Sequence, residues 1–185
     1  MAAAALALYC VYFALAFGVR IALQLRRTGS TGVRGLDRHA GPLEWFAGAL
    51  FVSALAAGAA APLLALLDIV EPIGALDGVV AHAVGVVLAG SGILATFLAQ
   101  LAMGDAWRIG VDSEERTELV TDGPFGWVRN PIYSAMLPTT FGLALMVHSA
   151  VAILGFAALV AALELQVRVV EIGRASCRER VSECV

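Results

Sequence analysis

Apolar runs long enough to cross a bilayer dominate this chain. They cover about 2–25, 43–67 and 79–103, and a last one covers about 132–170. A hydrocarbon core of about 30 Å needs roughly 20 residues of helix. The last run is about twice that length, and His148-Ser149 near its middle is the natural turn. It therefore predicts a tight helical hairpin, 132–147 and 149–170. The expected fold is all-α: a polytopic membrane protein with five transmembrane helices in one domain over 1–171. Composition agrees, because charged residues make up 15% of the chain against about 25% in soluble domains. The first run is no signal peptide, since it lacks a basic leading segment and its charges, Arg26 and Arg27, follow it.

The loops orient these helices. Arg20, Arg26, Arg27, Arg34 and Arg38 flank or fill the first loop, whereas the second carries Asp68, Glu71 and Asp77. Cytoplasmic loops collect positive charge. The first loop is then inside, the second outside, and the polar segment 104–131 with Arg108, Arg116 and Arg129 inside again. The chain reads as N-outside and C-inside. Ala49, Ser53, Ala57 and Ala61 recur every four residues, a stripe that permits close helix approach in lipid. A net charge of -3 gives no reason to expect nucleic acid as a partner. No internal repeat supports a repeat-built transporter.

Cys10, Cys177 and Cys184 form no CxxC pair. His39, His82 and His148 are far apart in sequence. Neither set has metal-ligand spacing, so no metal is expected.

The chemistry concentrates in 104–131 and the helix starts around it. Trp107 and Arg108 are suited to anchoring at the membrane surface. Asp112-Ser113-Glu114-Glu115-Arg116 is a solvated charge run. Gly123-Pro124 and Asn130-Pro131 are turn signals. Gly123 can take a positive φ, and each proline bars helix just before it. The backbone from 121 to 131 is therefore bent, with free N–H and C=O groups directed at water or a ligand. Asn130 is placed to cap the next helix, with Pro131 in its first turn. Arg129 is either an anchor for lipid phosphate or a fixed cation for a carboxylate. On the last helix Glu164 and Arg168 are spaced i, i+4 and can pair. With Gln166 and Glu171 they lie near the same membrane face, either pairing at the interface or closing a site against Arg129.

The string Leu119-Val120-Thr121-x-Gly123-Pro124-Phe125-x-x-x-Arg129-Asn130-Pro131-x-Tyr133 resembles the LVTxGPYxxxR[HN]PxY pattern of the isoprenylcysteine carboxyl methyltransferases and their relatives, the phospholipid methyltransferases. Gly104-x-x-Trp107-Arg108 fits the bacterial members, and the resemblance covers about 79–171. It implies S-adenosylmethionine as cofactor, held in a cytoplasmic pocket by this motif and the C-terminal segment. Leu119, Val120, Gly123 and Phe125 would line it. Arg129, Asn130, Pro131, Tyr133 and Glu171 would hold its polar end or the substrate, with Arg129, Tyr133 and Glu171 as the catalytic set. Asn130 stands where eukaryotic members often have His, which puts a His-dependent step in doubt. A lipid-like acceptor would be methylated at a carboxylate or at a phospholipid amine. The implied setting is a bacterial plasma membrane with the site facing the cytoplasm, the partners being that acceptor and membrane lipids.

The family pattern is lost after Glu171, where 172–185 reads as a non-native or disordered tail. The expected native chain is longer, with part of the pocket beyond this sequence. Two other classes compete: a non-catalytic scaffold, favoured by the missing C-terminal pattern, and a small transporter, disfavoured by the lack of repeats and of mid-membrane charge.

Overall fold

Among the described residues, five long helices carry the chain back and forth. The computed structural model describes residues 1–31, 41–74, 77–107 and 123–183, the last part from 170 onward by backbone only. The helices are α1 (Ala2–Thr28), α2 (Pro42–Leu66), α3 (Val79–Ala102), α4 (Pro131–Val147) and α5 (Ala150–Glu183). Among the described residues there is no strand. By length and composition, α1, α2, α3 and Ala150–Val169 of α5 can each cross a membrane. The fifth expected crossing is α4, with 17 residues. At 1.5 Å per residue it is about 26 Å long, just under a typical hydrocarbon core.

Local chemistry sets the boundaries. Gly29 ends α1 in the left-handed region (φ 72°), its N–H bonded to the Leu25 carbonyl at 2.9 Å. The helix thus takes in Arg26 and Arg27, which the hydropathy pattern left outside. Pro42 opens α2, where the Gly41 N–H donates to the Glu44 carboxylate at 3.1 Å. His148 ends α4 at φ 38° and Ser149 caps α5, its hydroxyl accepting from the Ala152 N–H at 3.3 Å. The turn expected at His148-Ser149 is therefore the hairpin turn. The α5 backbone stays helical to Glu183, through the stretch where the sequence reading ends the membrane domain.

Packing divides into two broad seams, α3 on α4 and α2 on α5, with α1 against α2 and α4. In the first seam backbones nearly touch. A Cβ on Gly142 would stand 2.5 Å from both the Ala89 nitrogen and the Gly85 carbonyl. In the second, Gly155 meets Ala57. The expected small-residue stripe of α2 is only half used. Ala57 and Ala61 face inward, whereas Ala49 and Ser53 are exposed. A strict four-residue step drifts around a helix of 3.6 residues per turn, so the buried line is instead Ala47, Ala54 and Ala61.

The same drift is handled differently in α1. Its buried residues are Ala5, Tyr9, Tyr12, Ala16, Arg20 and Gln24. The last three are four apart. The Ala14–Val19 segment is π-helical, and its wider turn absorbs the overshoot and keeps these positions on one face. An apolar cavity of about 30 Å³ lies between α1, α2, α4 and α5, lined by Tyr9, Tyr12, Leu55, Phe156 and Leu159 among others. It has room for a water or so, not for a lipid chain.

Candidate functional site

The polar groups of interest gather at one end of the bundle, where α1 and α3 finish and α4 begins. Gly123 adopts φ 61°, the positive value its position in the motif anticipates. It opens a single 3₁₀ turn, Gly123–Gly126, closed by the Trp127 and Val128 N–H groups on the Pro124 carbonyl. This turn touches α3. Asn130 is the N-cap of α4, but through its backbone: its carbonyl accepts from the Ser134 N–H at 3.0 Å, and its side chain makes no cap bond. Pro131 fills the first helical position and is buried. Two residues on, the Tyr133 hydroxyl donates to Gln166 Oε1 at 2.8 Å, tying the start of α4 to the far part of α5.

Of the residues expected to form the site, Tyr133 has the best-defined setting. Gly123, Arg129 and Asn130 are exposed, and Phe125 is half-buried. Leu119 and Val120 lie outside the described residues, as does the Glu171 side chain, although the α5 backbone passes through that position. Glu164 and Arg168 pair as their spacing predicts, at 2.8 Å, and both are exposed. Gln166, between them, is the residue that reaches the motif.

A second group at this end was not legible in the sequence. Arg20, which reads as a loop-flanking charge, is fully buried. One guanidinium nitrogen, Nη2, donates to the Gly104 carbonyl, and the cation sits 4.8 Å over the Trp107 ring. Trp107 is itself 3% exposed. The structure thus replaces the expected surface anchor with a buried platform, because a cation that cannot reach water takes the face of an aromatic ring. Gln24 donates to the Asp105 carbonyl at 2.9 Å, and Gln100 donates to the Ala16 carbonyl at 3.1 Å. That carbonyl lies in the π-helical turn, where regular backbone pairing is broken. Together these contacts clamp the end of α1 to the Gly104–Ala106 turn after α3.

The clamp is not saturated. Arg20 Nε and Nη1, Gln24 Oε1, Gln100 Oε1 and Thr96 Oγ1 are buried without a hydrogen-bond partner among the described residues. Each such group costs about 1–3 kcal/mol when left unpaired, and more when charged. Native structures rarely keep several together unless water, an ion or a ligand completes them. Ala16, one turn from Arg20, packs with Ile132, Tyr133, Met136 and Leu163 in one apolar cluster. The two polar groups therefore share one end of the bundle across a common wall.

Residues 80–172 match the family model described as Phospholipid methyltransferase. That span runs from the first turn of α3 to the far part of α5, half of the chain. The chain belongs to the phospholipid methyltransferase family. No curated protein and no solved structure matches it. For this family member, methyltransferase chemistry and apolar helices long enough to span a membrane go together. The matched span contains the whole motif from Leu119 to Tyr133.

Proposed function

We propose that the protein is an S-adenosylmethionine-dependent methyltransferase that acts within the membrane on a lipid-like acceptor. The family match over 80–172 carries this reading, because it spans both the motif and the helices that present it. In the proposed topology all five helices cross, the N-terminus lies outside, and the motif end faces the cytoplasm of a bacterial cell.

The residues present suit such a cofactor. Its amino-acid end bears a carboxylate and an ammonium group, matching the unpaired Arg20 donors and the Gln24 and Gln100 oxygens. When bound, it supplies an electrophilic methyl on a sulfonium, and the protein's task is alignment. Leu119, Val120, Gly123 and Phe125 would line the adenosyl part, with Asn130 and Pro131 shaping the bend. Arg129, exposed at the entry to α4, would hold the acceptor's anionic group. Tyr133, held by Gln166, would fix the distance between α4 and α5 at the reacting end. A carboxylate acceptor is already a nucleophile at neutral pH. An amine must first lose its proton, which Glu164 or Glu171 would take. The acceptor would enter sideways between helices.

The test is methyl transfer from radiolabelled S-adenosylmethionine into lipid extracts by the purified chain and by Arg129→Ala. Transfer by the parent chain, with at least about a tenfold loss in the variant from one missing charged hydrogen bond, supports the reading. Unchanged turnover in the variant removes Arg129 from it. Absence of both binding and transfer favours a non-catalytic family member.

A further inference from the structure

At the end of the bundle opposite Arg20, three residues distant in sequence converge. Asp77 lies in the α2–α3 loop, just before the Gly78 cap of α3. His82 is in the first turn of α3, its N–H bonded to the Gly78 carbonyl at 3.0 Å. His148 ends α4 in the left-handed region. A ligand-capable atom from each lies within 4.8 Å of the others. His82 Nε2 is 3.4 Å from His148 Nδ1 and 3.8 Å from Asp77 Oδ1, which is 3.9 Å from His148 Nε2.

These distances suit a metal better than they suit direct pairing. A bond from N–H to its acceptor usually spans about 2.7–3.2 Å, and both His–Asp separations are longer. Zinc bonds of about 2.0–2.1 Å to nitrogen, in tetrahedral geometry, place neighbouring ligand atoms about 3.3–3.4 Å apart. The His–His separation already has that value. His148 can offer only one nitrogen to an ion, and its 3.4 Å and 3.9 Å distances are to different ones. A ligand set lying within 4.8 Å must therefore contract by up to about 1.5 Å; the Asp77 side chain is 58% exposed and can rotate.

The frame around the rings is fixed from both sides. The His148 N–H bonds to the Ala144 carbonyl at 2.7 Å, and its own carbonyl accepts from the Ile73 N–H at 2.8 Å. A non-glycine residue held at positive φ is costly and tends to mark a functional position. Here it turns the imidazole toward His82, and the two rings sit 5.1 Å apart.

We propose that Asp77, His82 and His148 form a binding site for a divalent transition-metal ion of the zinc class. Two imidazoles and one carboxylate select such ions over calcium or magnesium, which prefer all-oxygen shells. Three protein ligands leave a fourth position for water. The ion would lock the α2–α3 loop to the α4–α5 turn, independently of any methyl transfer at the other end.

The experiment uses the full chain in detergent, purified without a histidine tag, stripped with EDTA and titrated with zinc against a chromophoric chelator. The expected result is one zinc per chain, a zinc-dependent rise in Tm and a tetrahedral spectrum with cobalt. His82→Ala and Asp77→Asn should each weaken binding at least about tenfold, the lower bound for disturbing a metal's immediate surroundings. His148→Asn should do the same, because Asn tolerates the left-handed region and keeps the turn. Replacing Cys10, Cys177 and Cys184 with Ser should leave binding intact. No stoichiometric zinc in the parent chain overturns the proposal. So does unchanged affinity in Asp77→Asn, whose exposed side chain can be altered without disturbing the fold, or loss of binding on removing the cysteines.

Discussion

The α3–α4 seam and the inner half of α1 solve opposite problems. Along the seam, Gly85, Gly92 and Gly142 remove side chains so that two backbones meet, with the Thr139 hydroxyl against Gly92. Along α1, Arg20 and Gln24 bring large polar groups inside and leave some of their atoms unpaired among the described residues. Lipid offers no hydrophobic drive between helices, so tight backbone contact is a main source of cohesion there. The seam therefore holds the bundle together. The α1 half is a place where stability has been given up, and a bound group would recover it.

The sharpest way to break this contrast is at Gly142. Gly142→Ala should destabilise the protein by about 1–3 kcal/mol, the usual range for overpacking, and Gly142→Leu should abolish recovery of monodisperse protein in detergent. Size-exclusion profiles and thermal unfolding measure both. If the alanine variant is as stable as the parent, the seam is not the cohesive element. The second effect is at Arg20. Arg20→Met keeps the volume and removes the two unpaired donors together with the bond to the Gly104 carbonyl and the contact with Trp107. Gain and loss should roughly offset, so Tm should stay level. Binding of S-adenosylmethionine should fall by at least about tenfold, since a hydrogen bond to a charged group contributes about 1.5–3 kcal/mol. A large drop in Tm would mean that Arg20 is structural and would collapse the distinction.

Much of the helix plan was legible because it depends on neighbours in sequence. The turn at His148-Ser149 followed from the length of one apolar run, and the Glu164–Arg168 pair from i, i+4 spacing. Gly123 at positive φ and Pro131 at the first helical position followed from turn chemistry. What could not be read involves partners far along the chain. Arg20 meets Gly104 across 84 residues, and His82 meets His148 across 66. A charge near the end of an apolar run looks like a loop flank, and only the approach of the Gly104–Ala106 turn puts it inside. Leu119 and Val120, by contrast, remain assigned by family resemblance alone.

Two smaller predictions sharpen the picture at the motif end. Tyr133→Phe removes the bond to Gln166 and should cost about 0.6 kcal/mol, the average for polar contacts between membrane helices. A double-mutant cycle with Gln166→Leu should show that the two losses are not additive. If activity falls far more than stability, Tyr133 acts on the reactants and not only on helix spacing. The smallest effect belongs to Glu164→Gln. Both partners of that ion pair are exposed, so the change in unfolding free energy should stay below about 0.5 kcal/mol. A larger loss would indicate that this face of α5 is covered by something else.

The π-helical segment Ala14–Val19 uncouples the two halves of the first helix. Each residue of an α-helix advances the chain by about 100°. Removing one residue between 14 and 19 would restore ordinary pitch and keep the shared face, since seven residues come within about 20° of two full turns. Ordinary pitch at unchanged length would instead swing Tyr12 around relative to Arg20 by about 80°. Either the tyrosines keep their place beside α2, or the arginine keeps its place over Trp107. A single-codon deletion there should therefore leave both in place, whereas a regular helix of unchanged length would force a choice between assembly and ligand recognition.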